Sequence, residues 1–81
     1  MARVSIAMPK LGANMETGRI AAWTRAVGDK VSRGDVLAAI ETDKVTVDME
    51  ALASGTLVEI VHDAGTDIPV GEVIGYIEDG N

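Results

Sequence analysis

The run Ile40-Glu41-Thr42-Asp43-Lys44-Val45-Thr46-Val47-Asp48-Met49 decides the fold. Folded about Asp43-Lys44 as a two-residue hairpin turn, it sets Thr42 against Val45, Ile40 against Val47 and Ala38 against Met49. Side chains alternate along a strand, so these pairs share one face, while Glu41 with Thr46 and Ala39 with Asp48 take the other. A slip of one residue would turn the apolar set into water, which specifies the register strongly. The same register leaves Lys44 at the exposed tip of a rigid hairpin. An amine held in that way marks a place to attach something.

Outward from the hairpin, the chain matches itself at a shift of 37 positions. Gly28 falls on Gly65, Gly34 on Gly71, Val36 on Val73, Ile40 on Ile77 and Glu41 on Glu78; earlier, Gly18 falls on Gly55 and Ile20 on Leu57. The glycines weigh most, because they mark turns that recur at one phase. Two repeats are too few for a solenoid, so a closed structure of two similar halves is expected. Strands are expected at 3–8, 18–24, 36–41, 45–49, 55–61 and 73–77, with Val31 and Ile68 in short extended pieces. No apolar stripe of helical period runs through Ala21-Ala22 or Ala38-Ala39, so the reading is all-β. Two small sheets packed face to face, or a flattened barrel, would hide strand edges that a lone sheet leaves open. The repeat mate of Lys44 is Asn81, which puts the lysine tip and the chain ends at opposite ends of the domain.

Eighty-one residues make a single domain, with about 4–79 as its structured core. Aliphatic side chains supply nearly all of its apolar content, since Trp23 and Tyr76 are the only aromatics besides His62. Thirteen acidic against seven basic residues give a net charge of −6, which disfavours nucleic acid as a partner. No apolar run reaches the roughly 20 residues of a membrane span, and the N-terminus lacks the apolar segment of a secretory signal. The absence of cysteine excludes a disulfide framework or a thiolate metal site, and is compatible with an intracellular location.

Catalytic constellations are poor. His62-Asp63 is the one His–Asp neighbour pair, and adjacent strand residues point to opposite faces; His62 reads as an exposed strand-end residue. Ser54 has no nucleophile-elbow setting. No metal-ligand spacing stands out, and no glycine loop precedes a helix to cradle phosphate. Trp23 reads as core. Lys30 and Lys10 read as surface charges, because the repeat mate of Lys30 is Asp67 and Lys10 has no paired strand to fix it. The chain reads as a presenter, with no catalytic residues.

These residues resemble the lipoyl domain of the dihydrolipoyl acyltransferases in 2-oxo acid dehydrogenase complexes, from Val4 to Asp79. The likeness is carried by Met8-Pro9-Lys10-Leu11-Gly12, Met15-Glu16-Thr17-Gly18-Arg19-Ile20, Trp23, Gly28-Asp29-Lys30-Val31, Gly34-Asp35, Glu41-Thr42-Asp43-Lys44, Glu50-Ala51 and Gly71-Glu72-Val73-Ile74. It implies a flattened barrel or sandwich of two four-stranded antiparallel sheets with an internal pseudo-twofold. It implies lipoic acid amide-linked to Lys44, carrying acyl groups from a thiamin-diphosphate 2-oxo acid decarboxylase to the acyltransferase catalytic core, with reoxidation by dihydrolipoyl dehydrogenase. A lipoate ligase or lipoyl transferase would recognise the hairpin with help from Glu41, Asp43 and Val45. The decarboxylase would read Asn14, Met15 and Glu16, in a loop expected near the tip; for Met15, plain packing is the competing reading.

Among the family's types, the pyruvate and acetoin acyltransferases are the most similar. Such carriers work in the cytoplasm of bacteria and archaea or in the mitochondrial matrix. The biotinyl domains of carboxylases share the fold, but their lysine normally lies between two methionines, whereas Lys44 lies between Asp43 and Val45. The glycine-cleavage carrier is a longer chain. An unmodified binding module is the reading from a different class.

Overall fold

The computed structural model describes residues 2–12 and 14–79. Eight strands follow one another: β1 (Ala2–Ala7), β2 (Thr17–Trp23), β3 (Lys30–Val31), β4 (Val36–Glu41), β5 (Thr46–Glu50), β6 (Gly55–Ile60), β7 (Asp67–Pro69) and β8 (Val73–Asp79). They form two four-stranded antiparallel sheets, ordered β1-β8-β6-β3 and β5-β4-β2-β7. The domain measures 38 × 20 × 18 Å.

The 37-residue repeat is a pseudo-twofold axis. It carries β2 onto β6, β3 onto β7 and β4 onto β8, and the two sheet orders superpose with β5 in the place of β1. The axis acts at the level of single atoms. Gly28 N donates to Leu57 O at 2.7 Å and Gly65 N to Ile20 O at 2.8 Å, the same bond made twice. Gly28, Gly34, Gly65 and Gly71 all have φ between 92° and 99°, a region closed to most L side chains. The recurring glycines therefore mark two pairs of equivalent left-handed corners.

The core obeys the same axis. Ile20 and Leu57, Val31 and Ile68, Leu37 and Ile74, and Ile40 and Ile77 are repeat mates, and all are buried. Met8 and Ala51 join the layer from equivalent places, for Gly34 N donates to Ala51 O and Gly71 N to Met8 O, and Ile6 and Ala38 are buried with them. Alternation along each strand aims these residues between the sheets, and aliphatic side chains suffice to fill so thin a space.

Trp23 departs from its expected place in the core. It is half-buried at the core margin, packs against the buried cluster, and its Nε1 donates to His62 O at 2.9 Å. An indole N–H needs an acceptor when covered, and the exposed rim of the sandwich supplies one. His62 departs too. It sits beyond the end of β6, half-buried rather than exposed, with its Nε2 against the Glu72 carboxylate.

Candidate functional site

The β4–β5 register matches the expectation residue for residue: Glu41 faces Thr46, Ile40 faces Val47, Ala39 faces Asp48 and Ala38 faces Met49. Thr42 N donates to Val45 O at 2.8 Å and closes the corner Asp43-Lys44. Neither corner residue has positive φ, so this is not one of the mirror-image turns that two-residue hairpins favour. Ordinary L residues such as Asp43 and Lys44 occupy it without backbone strain.

Thr42 does more than pair. Its Oγ1 accepts the N–H of Lys44 at 3.2 Å and that of Val45 at 3.1 Å, and it donates to Val45 O at 3.1 Å. One hydroxyl thus satisfies two backbone donors that would otherwise face only water. Strand alternation alone marks Thr42 only as a partner of Val45 and does not reveal this role. A threonine at the first position of a tight turn was the available signal.

Lys44 is exposed, and among the described residues its ammonium joins no ion pair, not even with neighbouring Asp43. Glu41, Asp43 and Val45 are exposed around it, Val45 to 53%. On the neighbouring strand Arg19 lies opposite Glu41, and its Nε donates to Asp67 Oδ1 at 3.1 Å. Arg19 and Asp67 thereby line, with Glu41 and Asp43, a polar cleft beside the corner.

The loop 11–17 ends at this cleft, since Thr17 lines it together with Asp43. Met15 is half-buried and packs on the core; its Sδ lies 3.1 Å from Leu11 N, and its end reaches the space over Gly18. Asn14 and Glu16 are exposed on either side of it. Glu16 O accepts Val70 N at 2.9 Å, which anchors the loop to the start of β7–β8. So the Thr17 end of the loop lies near the lysine corner, and within the loop Met15 is turned inward while Asn14 and Glu16 are exposed. Ala13, inside this loop, lies outside the described residues.

The far end of the domain carries the start of β1 and the end of β8. Ala2 pairs with Asp79, and β1 runs from there towards the loop that meets the lysine corner. By the pseudo-twofold the end of β8 at Asp79 corresponds to Thr42, so the lysine corner and the paired ends of β1 and β8 lie at opposite poles; Asn81, the repeat mate of Lys44, lies outside the described residues.

A family profile described as "Biotin-requiring enzyme", covering biotin and lipoyl attachment, matches residues 4–77. The chain belongs to the biotin/lipoyl domain family. Over 78 residues it is 40% identical to the dihydrolipoyllysine-residue acetyltransferase component of the acetoin cleaving system of Bacillus subtilis, covering 96% of this chain and 20% of that protein. The solution structure of the lipoyl domain of the 2-oxoglutarate dehydrogenase complex from Azotobacter vinelandii matches with a TM-score of 0.80 and 32% identity, covering 96% of this chain and 99% of that one. The urea carboxylase of Kluyveromyces lactis matches with the same TM-score, 0.80, at 27% identity over 96% of this chain and 6% of that one. Within the family, this is a lipoyl domain, similar in sequence to parts of dihydrolipoyllysine-residue acyltransferases. It spans 14–20% of the length of the curated relatives it matches.

Proposed function

We propose that Lys44 is the attachment point for lipoic acid and that the domain is a swinging-arm carrier. The observation that carries this reading is an exposed lysine, free of ion pairs among the described residues, on a corner fixed by Thr42. A modifying enzyme needs an amine that is reachable and held at a definite height above the sheet, and this corner offers both. The attached group would supply a dithiolane that takes up an acyl group and two reducing equivalents and gives them away elsewhere; the protein supplies position and recognition. Glu41, Asp43 and Val45 would guide the ligase or lipoyl transferase. The absence of cysteine leaves the domain itself no thiolate to open the oxidised dithiolane into a mixed disulfide. Tethering raises the effective concentration of the arm at each partner site.

The partners on this reading are a thiamin-diphosphate 2-oxo acid decarboxylase, an acyltransferase core and dihydrolipoyl dehydrogenase, in the cytoplasm of a bacterium or archaeon or in the mitochondrial matrix. Asn14 and Glu16 would meet the decarboxylase, since they face solvent in the loop whose last residue, Thr17, lies beside the corner, while Met15 packs on the core. The likeness to a urea carboxylase favours biotin as the second reading. Against it stand the flanking residues of Lys44, Asp43 and Val45 in place of methionines.

Reductive acylation tests the proposal. The lipoylated domain is offered to the decarboxylases specific for pyruvate, 2-oxoglutarate and branched-chain 2-oxo acids and to the thiamin-diphosphate enzyme that cleaves acetoin, and acyl transfer is followed by mass. Rapid acylation by one of them is expected; acylation by none would overturn the carrier reading.

A further inference from the structure

The two sheets do not close completely over the core. β1 and β5 are edge strands of opposite sheets, and between them opens an apolar cleft of about 290 Å³ lined by Val4, Ile6, Val47 and Met49, among others. Val47, whose register turns it inward, stays 37% exposed, and Leu52 at the rim is 79% exposed. The inward face of β5 is therefore only half covered.

The outer edge of β5 is unpaired as well. In an antiparallel ladder, alternate residues exchange both backbone bonds with the partner strand, and the residues between them point their N–H and C=O away. The bond from Thr42 N to Val45 O fixes the phase: Val45, Val47 and Met49 bond towards β4, and Thr46 and Asp48 present their backbone groups outward. Among the described residues, β5 pairs with no strand besides β4. On the opposite face of β5 from Val47 and Met49, Asp48 and Glu50 are exposed, and neither joins an ion pair among the described residues.

We propose that β5 accepts an added strand from a protein partner in which apolar and basic residues alternate. Its backbone would bond to Thr46 and Asp48, its apolar side chains would fill the cleft beside Val47 and Met49, and its basic side chains would lie opposite Asp48 and Glu50. The acidic rim selects this partner over a second copy of the chain, which carries a net charge of −6 and would bring like charge to the rim. The inference is independent of what Lys44 carries, because the edge of β5 lies along the side of the hairpin, away from its corner.

The test is amide exchange by NMR on the nitrogen-15-labelled domain, with acetyl-(Val-Lys)4-amide as probe and acetyl-(Val-Glu)4-amide as its charge-reversed control. The amides of Thr46 and Asp48 are expected to slow about tenfold or more with the basic peptide and to be unchanged with the acidic one. In the double variant Asp48→Lys with Glu50→Lys, whose sites are on the surface, the preference is expected to reverse. Protection at β1 instead, resonance shifts without protection of Thr46 and Asp48, binding of neither peptide, or a preference unmoved by charge reversal would each overturn the proposal.

Discussion

The Oγ1 of Thr42 accepts the backbone N–H of Lys44 at 3.2 Å, so the residue that closes the hairpin also fixes the residue that presents the amine. The same oxygen takes the N–H of Val45. Removing it frees the corner without disturbing the strands, whose ladder lies below. Thr42→Ala is expected to cost about 1 kcal/mol of stability, since water replaces part of what the hydroxyl supplies. The rate of lipoylation by a ligase is expected to fall severalfold, and Thr42→Ser to restore it. Urea denaturation and a mass time course check the two halves.

Gly34 and Gly71 are repeat mates with φ of 96° and 92°, and a Cβ on either would meet nothing within 4 Å. The cost of Gly34→Ala and of Gly71→Ala is therefore backbone strain alone, about 1–2 kcal/mol each. The two values are expected to agree within error in urea denaturation, because the pseudo-twofold makes the corners equivalent.

Gly18 and Gly55 are repeat mates too, yet they should respond differently. A Cβ on Gly55 would run into the backbone carbonyl of Glu78, whereas one on Gly18 would meet the ends of the Met15 and Met8 side chains. Methionine ends move and a paired strand does not. Gly55→Ala is expected to lower the midpoint of thermal unfolding far more than Gly18→Ala, and the difference is read by calorimetry.

Met15 packs on the core, whereas its neighbours Asn14 and Glu16 face solvent. Met15→Ala is expected to destabilise the domain by roughly 1–2 kcal/mol, below the cost of a fully buried methionine, because the side chain is half-covered. Asn14→Ala and Glu16→Ala should change stability by less than about 0.5 kcal/mol. These two are expected instead to slow acylation of the lipoylated domain by its decarboxylase, measured as kcat/KM for the domain.

The hairpin register was legible in the sequence because it needs only alternation, and a single phase sorts Ile40 and Val47 from Glu41 and Thr46. The two-sheet architecture was legible through the glycines, whose shared phase reflects the left-handed corners at Gly28, Gly34, Gly65 and Gly71. Alternation tells which way a side chain turns but not how much covers it. Hence Val45 and Val47 face the expected side and yet remain exposed on an edge strand, and β5 keeps the open edge that a closed barrel would have hidden. His62 and Trp23 were misplaced for a different reason. Their positions depend on Glu72 and on the His62 carbonyl, contacts across 10 and 39 residues that no local pattern encodes. At the site, the lysine and its corner were readable, whereas the hydroxyl of Thr42 and the Arg19–Asp67 pair required the folded geometry.

The intact mass of the domain after incubation with a lipoate ligase, ATP and lipoic acid, beside that of Lys44→Ala, tests the carrier reading most directly. A single lipoyl increment in the native domain, absent from the variant, is the expected result. An increment that persists in Lys44→Ala, one that appears only with a biotin ligase and biotin, or none with either enzyme would contradict it.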